Sequence, residues 1–126
     1  MGTRATYLIR VRKQWENFNI CFYNHWDNYP EGAANLLTRA LEQNWSNQCN
    51  GKNLAKRLAS LDGPEIVLGH EEVGDSDYRY DITEGEKDTN IIAYEATNSS
   101  EEMGWLNNWK VIFNGSLQEF IEKYTK

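Results

Sequence analysis

The sequence predicts an α+β domain: one mostly antiparallel β-sheet of about six strands, with a helical insertion after the second strand and a C-terminal helix. Three observations predict it. Several short runs alternate apolar and polar residues with a period of two, as half-buried strands do. Three segments instead repeat apolar residues at three and four, the helical period. The first two strand-like runs are joined by a short polar connection, which favours an antiparallel hairpin.

The elements follow in order. Residues 3–11 read as a strand with Tyr7, Ile9 and Val11 on one face and Thr6, Leu8 and Arg10 on the other. After a polar link over 13–17, Phe18, Ile20 and Phe22 alternate in a second strand. Pro30 suits a first helical turn and Asn28 an N-cap. Ala33, Leu37, Ala40, Leu41 and Trp45 then mark a helix over 31–45. A shorter helix carries Leu54, Leu58 and Leu61 and stops at Asp62-Gly63-Pro64. Further strands are expected at 66–68, 78–82 and 90–96, with 105–113 at least partly extended. Ser116 and Glu119 fit a capping box ahead of Leu117, Phe120, Ile121 and Tyr124, the C-terminal helix. One sheet face must be covered, so helices packed on one side of a single sheet are the economical arrangement.

The chain has 126 residues, one domain over 1–126 by length. Its formal net charge is −6, which opposes non-specific binding to duplex nucleic acid. A phosphate-bearing ligand would have to find one of the local basic groups, Arg4, Arg10, Arg12 and Lys13 or Lys52, Lys56 and Arg57. No apolar run reaches membrane-span length and the N-terminus has no secretory apolar region. No membrane association and a cytoplasmic location are therefore expected. The two cysteines, Cys21 and Cys49, are too few for a disulfide scaffold.

Motifs for catalysis are missing. His25 and His70 stand outside any metal-binding spacing, and Gly-rich phosphate loops are absent. The acids Asp75, Asp77 and Asp81 lack the Gly and closing Glu of a calcium loop. The expectation is a binding protein with no catalytic residue, no metal and no cofactor. Three aromatic-polar segments are its candidate sites. Asn24, His25 and Trp26 lie where a strand meets a helix N-terminus, a place for contacts to an anion. Arg79 and Tyr80 offer a guanidinium for phosphate and a ring for a base. Trp105, Trp109 and Lys110 offer a clamp for a planar group with a cation beside it. Arg57 completes the set as a further basic group. Stacking a base on a ring contributes about 1–3 kcal/mol. Asp27, Asn28, Pro30 and Gly32 read instead as corner and cap chemistry.

Two segments also carry a resemblance. Met1-Gly2-Thr3-Arg4-Ala5-Thr6-Tyr7 resembles a GTR[AS]T opening strand, and Tyr23-Asn24-His25-Trp26-Asp27-Asn28-Tyr29-Pro30-Glu31-Gly32 resembles the strand-to-helix corner that accompanies it. Together they are similar to the phage anti-Thoeris signal-sponge family, the first described Thoeris anti-defence proteins. The resemblance implies a compact, mostly antiparallel sheet protein working as a homodimer or higher homo-oligomer in the host cytoplasm. It implies sequestration, without degradation, of a cyclic ADP-ribose isomer made by TIR-domain enzymes, with cyclic oligonucleotides as a further ligand class. Two other readings compete. One is a protein-binding inhibitor of a host defence system, an acidic decoy like some anti-CRISPR proteins, built on the acid-rich stretch 71–88. The other is a small nucleotide phosphodiesterase.

Overall fold

The computed structural model describes residues 4–14, 17–25, 28–42, 54, 58, 64–69, 76–85, 88–96 and 109–125. Among the described residues the elements with stated bounds are β1 (Ala5–Arg12), β2 (Asn17–Asn24), α1 (Pro30–Glu42), β3 (Glu65–Val67), β4 (Tyr78–Glu84), β5 (Thr89–Ala96), β6 (Trp109–Ser116) and α2 (Leu117–Tyr124). They form one six-stranded sheet in the order β3-β2-β1-β4-β5-β6. The expected α+β fold is therefore the observed one, with a helix after the second strand and another at the C-terminus.

The hairpin of β1 and β2 is antiparallel, with Tyr7 opposite Phe22 and Ile9 opposite Ile20. β1 pairs with β4 in parallel, Tyr7 beside Tyr80 and Ile9 beside Ile82. This pair joins two antiparallel groups, β3-β2-β1 and β4-β5-β6. Periodicity within a strand carries no information on such an order, because its partner is remote in sequence.

One face of the sheet forms the core. Along β1, Ala5, Tyr7, Ile9 and Val11 are fully buried. Phe22, Tyr80, Ile82, Ile91 and Ala93 extend that face across the neighbouring strands. α1 brings Ala33, Ala34, Leu36, Leu37 and Ala40 onto it, and α2 brings Leu117 and Phe120. Burying each large aliphatic side chain contributes about 1.5–3 kcal/mol. Leu54 and Leu58, the two described residues of the expected second helix, are helical and join the same core. The Leu54 amide donates to the Glu84 carboxylate at 2.9 Å, and Lys13 approaches that carboxylate at 3.3 Å.

The capping box is present: the Glu119 amide donates to Ser116 Oγ and the Ser116 amide donates to Glu119 Oε1. The Ser116 amide first, and its side chain second, hold the Glu119 carboxyl below its ordinary value. Boundaries differ modestly from expectation. α1 ends at Glu42, with 43–45 outside the described residues; β3 begins one residue earlier, at Glu65, and β4 continues to Glu84. β6 runs from Trp109 to Ser116, beyond the expected end at 113.

Candidate functional site

Asn28 ties the strand-to-helix corner to the core. Asn28 is fully buried although polar. Tyr7 Oη donates to Asn28 Oδ1 at 2.5 Å, and Asn24 Nδ2 donates to the same oxygen at 2.9 Å. Asn28 Nδ2 donates back to the Asn24 carbonyl at 2.7 Å, and Tyr80 Oη donates to the Asn28 carbonyl at 2.7 Å. The rings of Tyr7 and Tyr80 stack with centroids 5.0 Å apart. Burial pushes both phenols far above their ordinary range, so both remain neutral donors. The Asn28 side chain thus joins Tyr7 in the core to Asn24 at the end of β2, and its carbonyl holds Tyr80.

His25 follows immediately. Its Nδ1 lies 2.8 Å from Tyr23 Oη, and the two rings meet edge to face at 6.0 Å. Tyr23 belongs to the other face of the sheet. Strand register places it in a row with Thr6, Arg79, Tyr94 and Val111, one residue from each successive strand. Adjacent strands are about 4.8 Å apart, so Tyr23 and Arg79 stand roughly 10 Å from each other.

On that face Arg79, Asp81, Tyr94 and Trp109 line a cavity of about 230 Å³. The Arg79 guanidinium lies over the Trp109 ring, 4.4 Å from its centroid. Arg79 reaches diagonally across β5, where the row containing Trp109 presents only Ala96. A cation on an indole is attracted by the ring quadrupole, by about 0.5–2 kcal/mol according to exposure. The contact also fixes a planar fork of N–H donors, which matches carboxylate and phosphate oxygens. Two residues along β4, Asp81 faces the same way, and its carboxylate is 3.9 Å from Arg10 Nη1. The cavity therefore offers a held guanidinium, an indole, a phenol ring and a carboxylate together.

The candidates from sequence separate by face. Arg79 and Trp109, expected in separate candidate segments, meet on one face. Tyr80 is fully buried in the core beneath Tyr7, so it presents no exposed ring to a ligand. Lys110 pairs with Glu95 while Trp109 pairs with Ala96, and alternation turns Lys110 to the face opposite Trp109. A cation beside the Trp109 ring is supplied by Arg79 instead. Asn24 is committed to Asn28, and His25 neighbours Tyr23. Trp26, Arg57 and Trp105 lie outside the described residues. Asp81 closes the candidate segment 77–81 that supplies Arg79 and Tyr80, although no binding role is expected of it, and Tyr94 lies outside the candidate segments. The alternation of β4 puts Asp81 on the Arg79 face and was a usable signal; Tyr94 needed the β4–β5 register.

A larger cleft of about 490 Å³ lies between the ends of the helices, lined by Leu41, Asp88, Thr89, Ser116, Leu117, Gln118 and Ile121. Its charged lining residue is the acid Asp88, and its helix N-terminus already serves the capping box. Anion recognition therefore favours the smaller cavity. Among the described residues, no group of three or more His, Cys, Asp or Glu side chains is placed to hold a metal ion. No described helix is long and apolar enough to cross a membrane. Comparison with protein-family models, with curated proteins and with solved structures finds no match to this chain.

Proposed function

We propose that the protein is a phage-type immune-evasion protein that binds a cyclic nucleotide signal and holds it without degrading it. The ligand we favour is a cyclic ADP-ribose isomer of the kind made by TIR-domain enzymes, with cyclic oligonucleotides as a further class. The observation that carries this reading is the Arg79 guanidinium held on the Trp109 ring inside a cavity. Such a pair supplies phosphate recognition and base stacking from adjacent positions. The sequence resemblance at the first strand and the corner supports the same ligand class. The cavity volume, about 230 Å³, is below the roughly 300–1,000 Å³ usual for a complete small-molecule site. That size supports a site finished by a further segment or by a second copy in a homo-oligomer. The acidic-decoy reading is weakened by three described acids of its stretch. Asp77 accepts from the Arg4 amide, Asp81 faces Arg10, and Glu84 serves Leu54 and Lys13.

Calorimetry against cyclic ADP-ribose isomers and cyclic di- and trinucleotides tests the reading. The expected result is saturable binding of at least one member, with the ligand recovered unchanged after heat denaturation of the complex. Absence of binding across the panel, or recovery of hydrolysed product alone, rejects it.

A further inference from the structure

The face that bears the cavity continues past it. Strand register sets its side chains in successive rows: Trp109, then Arg79, then Asp81, then Arg10, then Arg12. In the Arg10 row stand Asn19 of β2, Thr83 of β4 and Asn90 of β5. All four side chains of that row can donate hydrogen bonds, and none is an acid. Asn17 stands beside Arg12 in the last row. Two guanidiniums thus follow each other on one face, with Cα atoms about 7 Å apart, in a chain whose net charge is −6. Asp81 approaches Arg10 Nη1 at 3.9 Å and has further partners of its own, while 37% of the Arg10 side chain stays exposed. Arg12 Nη1 donates to the Val11 carbonyl at 2.9 Å and to the Phe18 carbonyl at 3.2 Å. Those bonds hold the guanidinium without cancelling its charge, and among the described residues no acid pairs with it. The nearby acid Glu84 lies in the Val11 row, on the core face, and serves Lys13 and Leu54. Like charges held side by side repel, and an anion between them relieves that repulsion.

Resting on the nucleotide reading above, we propose that Arg10, with Asn19, Thr83 and Arg12 around it, is a second anion subsite, taking a phosphate that stands apart from the one on Arg79. The Arg79 and Arg10 rows are about 13 Å apart along the strands at Cα, and Arg10 leans back toward the Asp81 row between them. The Asp81 carboxylate repels an anion placed directly over it, so the two phosphates are kept on either side of it. A nucleotide whose phosphates flank a ribose meets that condition, and one whose phosphates are adjacent does not. Of the ligand classes named above, cyclic oligonucleotides fit this extended site better than ADP-ribose isomers. The guanidinium fork of Arg10 matches phosphate oxygens in the same way as that of Arg79.

Calorimetry of the full chain with AMP, ADP and adenosine 3′,5′-bisphosphate provides the test, with R10Q, R12Q and R39Q as variants. ADP and the bisphosphate each carry two phosphates, adjacent in the first and on opposite sides of the ribose in the second. The bisphosphate is expected to bind about tenfold more tightly than AMP or ADP, the gain from charged hydrogen bonds to one further phosphate. R10Q removes that advantage and leaves AMP affinity within about twofold, since AMP engages Arg79; R12Q reduces the advantage in the same direction. Arg39 is exposed on α1, which packs on the core face, so R39Q removes an equal charge and keeps the advantage. Equal binding of the bisphosphate and ADP by the native chain, an advantage that survives R10Q, or an equal loss in R39Q overturns the inference and leaves the nucleotide reading standing. Failure of all three nucleotides to bind also overturns it; failure of the cyclic nucleotide panel as well rejects the nucleotide reading itself.

Discussion

The two faces of the sheet use the same residue types for opposite ends. On the covered face, Tyr7 and Tyr80 stack in parallel and send both hydroxyls to Asn28. On the other face, Tyr94 and Trp109 border a cavity with Arg79 and Asp81. The first set has its polar atoms joined to one another in a closed network. The second keeps a cation, an anion and two rings around open volume. The difference teaches that aromatic richness alone does not locate a site. What separates the two sets is that one is packed ring on ring in the core while the other borders a cavity.

The largest effect belongs to the covered face. Asn28→Ala leaves the fully buried Tyr7 hydroxyl without its acceptor and removes the partner of the half-buried Asn24 amide, and about 3 kcal/mol of unfolding free energy should be lost. Urea titration measures it; a loss below about 1 kcal/mol would show that the network is not a principal support of the corner. On the face that bears the cavity, Arg79→Gln and Trp109→Ala should each weaken nucleotide affinity about tenfold or more, near 1.4 kcal/mol, with little change in urea midpoint. Unchanged affinity in both would move the site elsewhere, with the cleft by Asp88 and Gln118 the next place to probe.

Tyr80→Phe separates the faces more finely. It should lower stability by about 1 kcal/mol while leaving nucleotide affinity within about twofold. It should also change the response to alkali. The phenols of Tyr7 and Tyr80 are raised by burial above the ordinary value of 10.0. The unfolded chain therefore releases these protons first as pH rises. Their contribution is complete below about pH 10 and is lost progressively above it. The native urea midpoint should fall from about pH 10 upward, and in Tyr80→Phe the fall should be shallower because one of the most deeply buried phenols is gone, with Tyr78 and Tyr124, also raised by burial, remaining. An equally steep fall would assign the alkaline loss to other groups. The smallest effect is expected at Lys110, which faces away from the cavity; Lys110→Ala should change affinity by less than about twofold at moderate salt.

Much of this fold was legible because its signals are local. The alternation of Tyr7, Ile9 and Val11, the spacing of Ala33, Leu37 and Ala40, and the Ser116–Glu119 capping box each lie within a dozen residues. The remainder depends on distant partners. Asn28 reads as an N-cap from its neighbours, yet it bonds Tyr7 and Tyr80, 21 and 52 positions away. Tyr80 and Arg79 alternate as expected, but alternation does not say which side will be covered. The Arg79–Trp109 contact was legible only as two separate candidates, since its formation needs the β4–β5 and β5–β6 registers together. Lys110 follows Trp109 in sequence, and that adjacency turns it to the wrong side.

The parallel pairing of β1 with β4 has a kinetic consequence. It joins residues 73 positions apart, whereas the β1–β2 and β4–β5 pairs are short hairpins. Hairpins close in about 1–10 μs, but a contact of such long range must first overcome the entropy of a large loop. The β1–β2 and β4–β5 hairpins are thus suited to form early and dock late. Tyr7, Tyr80 and Asn28 span their junction, so the hydrogen bonds around Asn28 become the latch of that docking step. Weakening the latch should slow refolding more than it speeds unfolding if docking is the rate-limiting barrier.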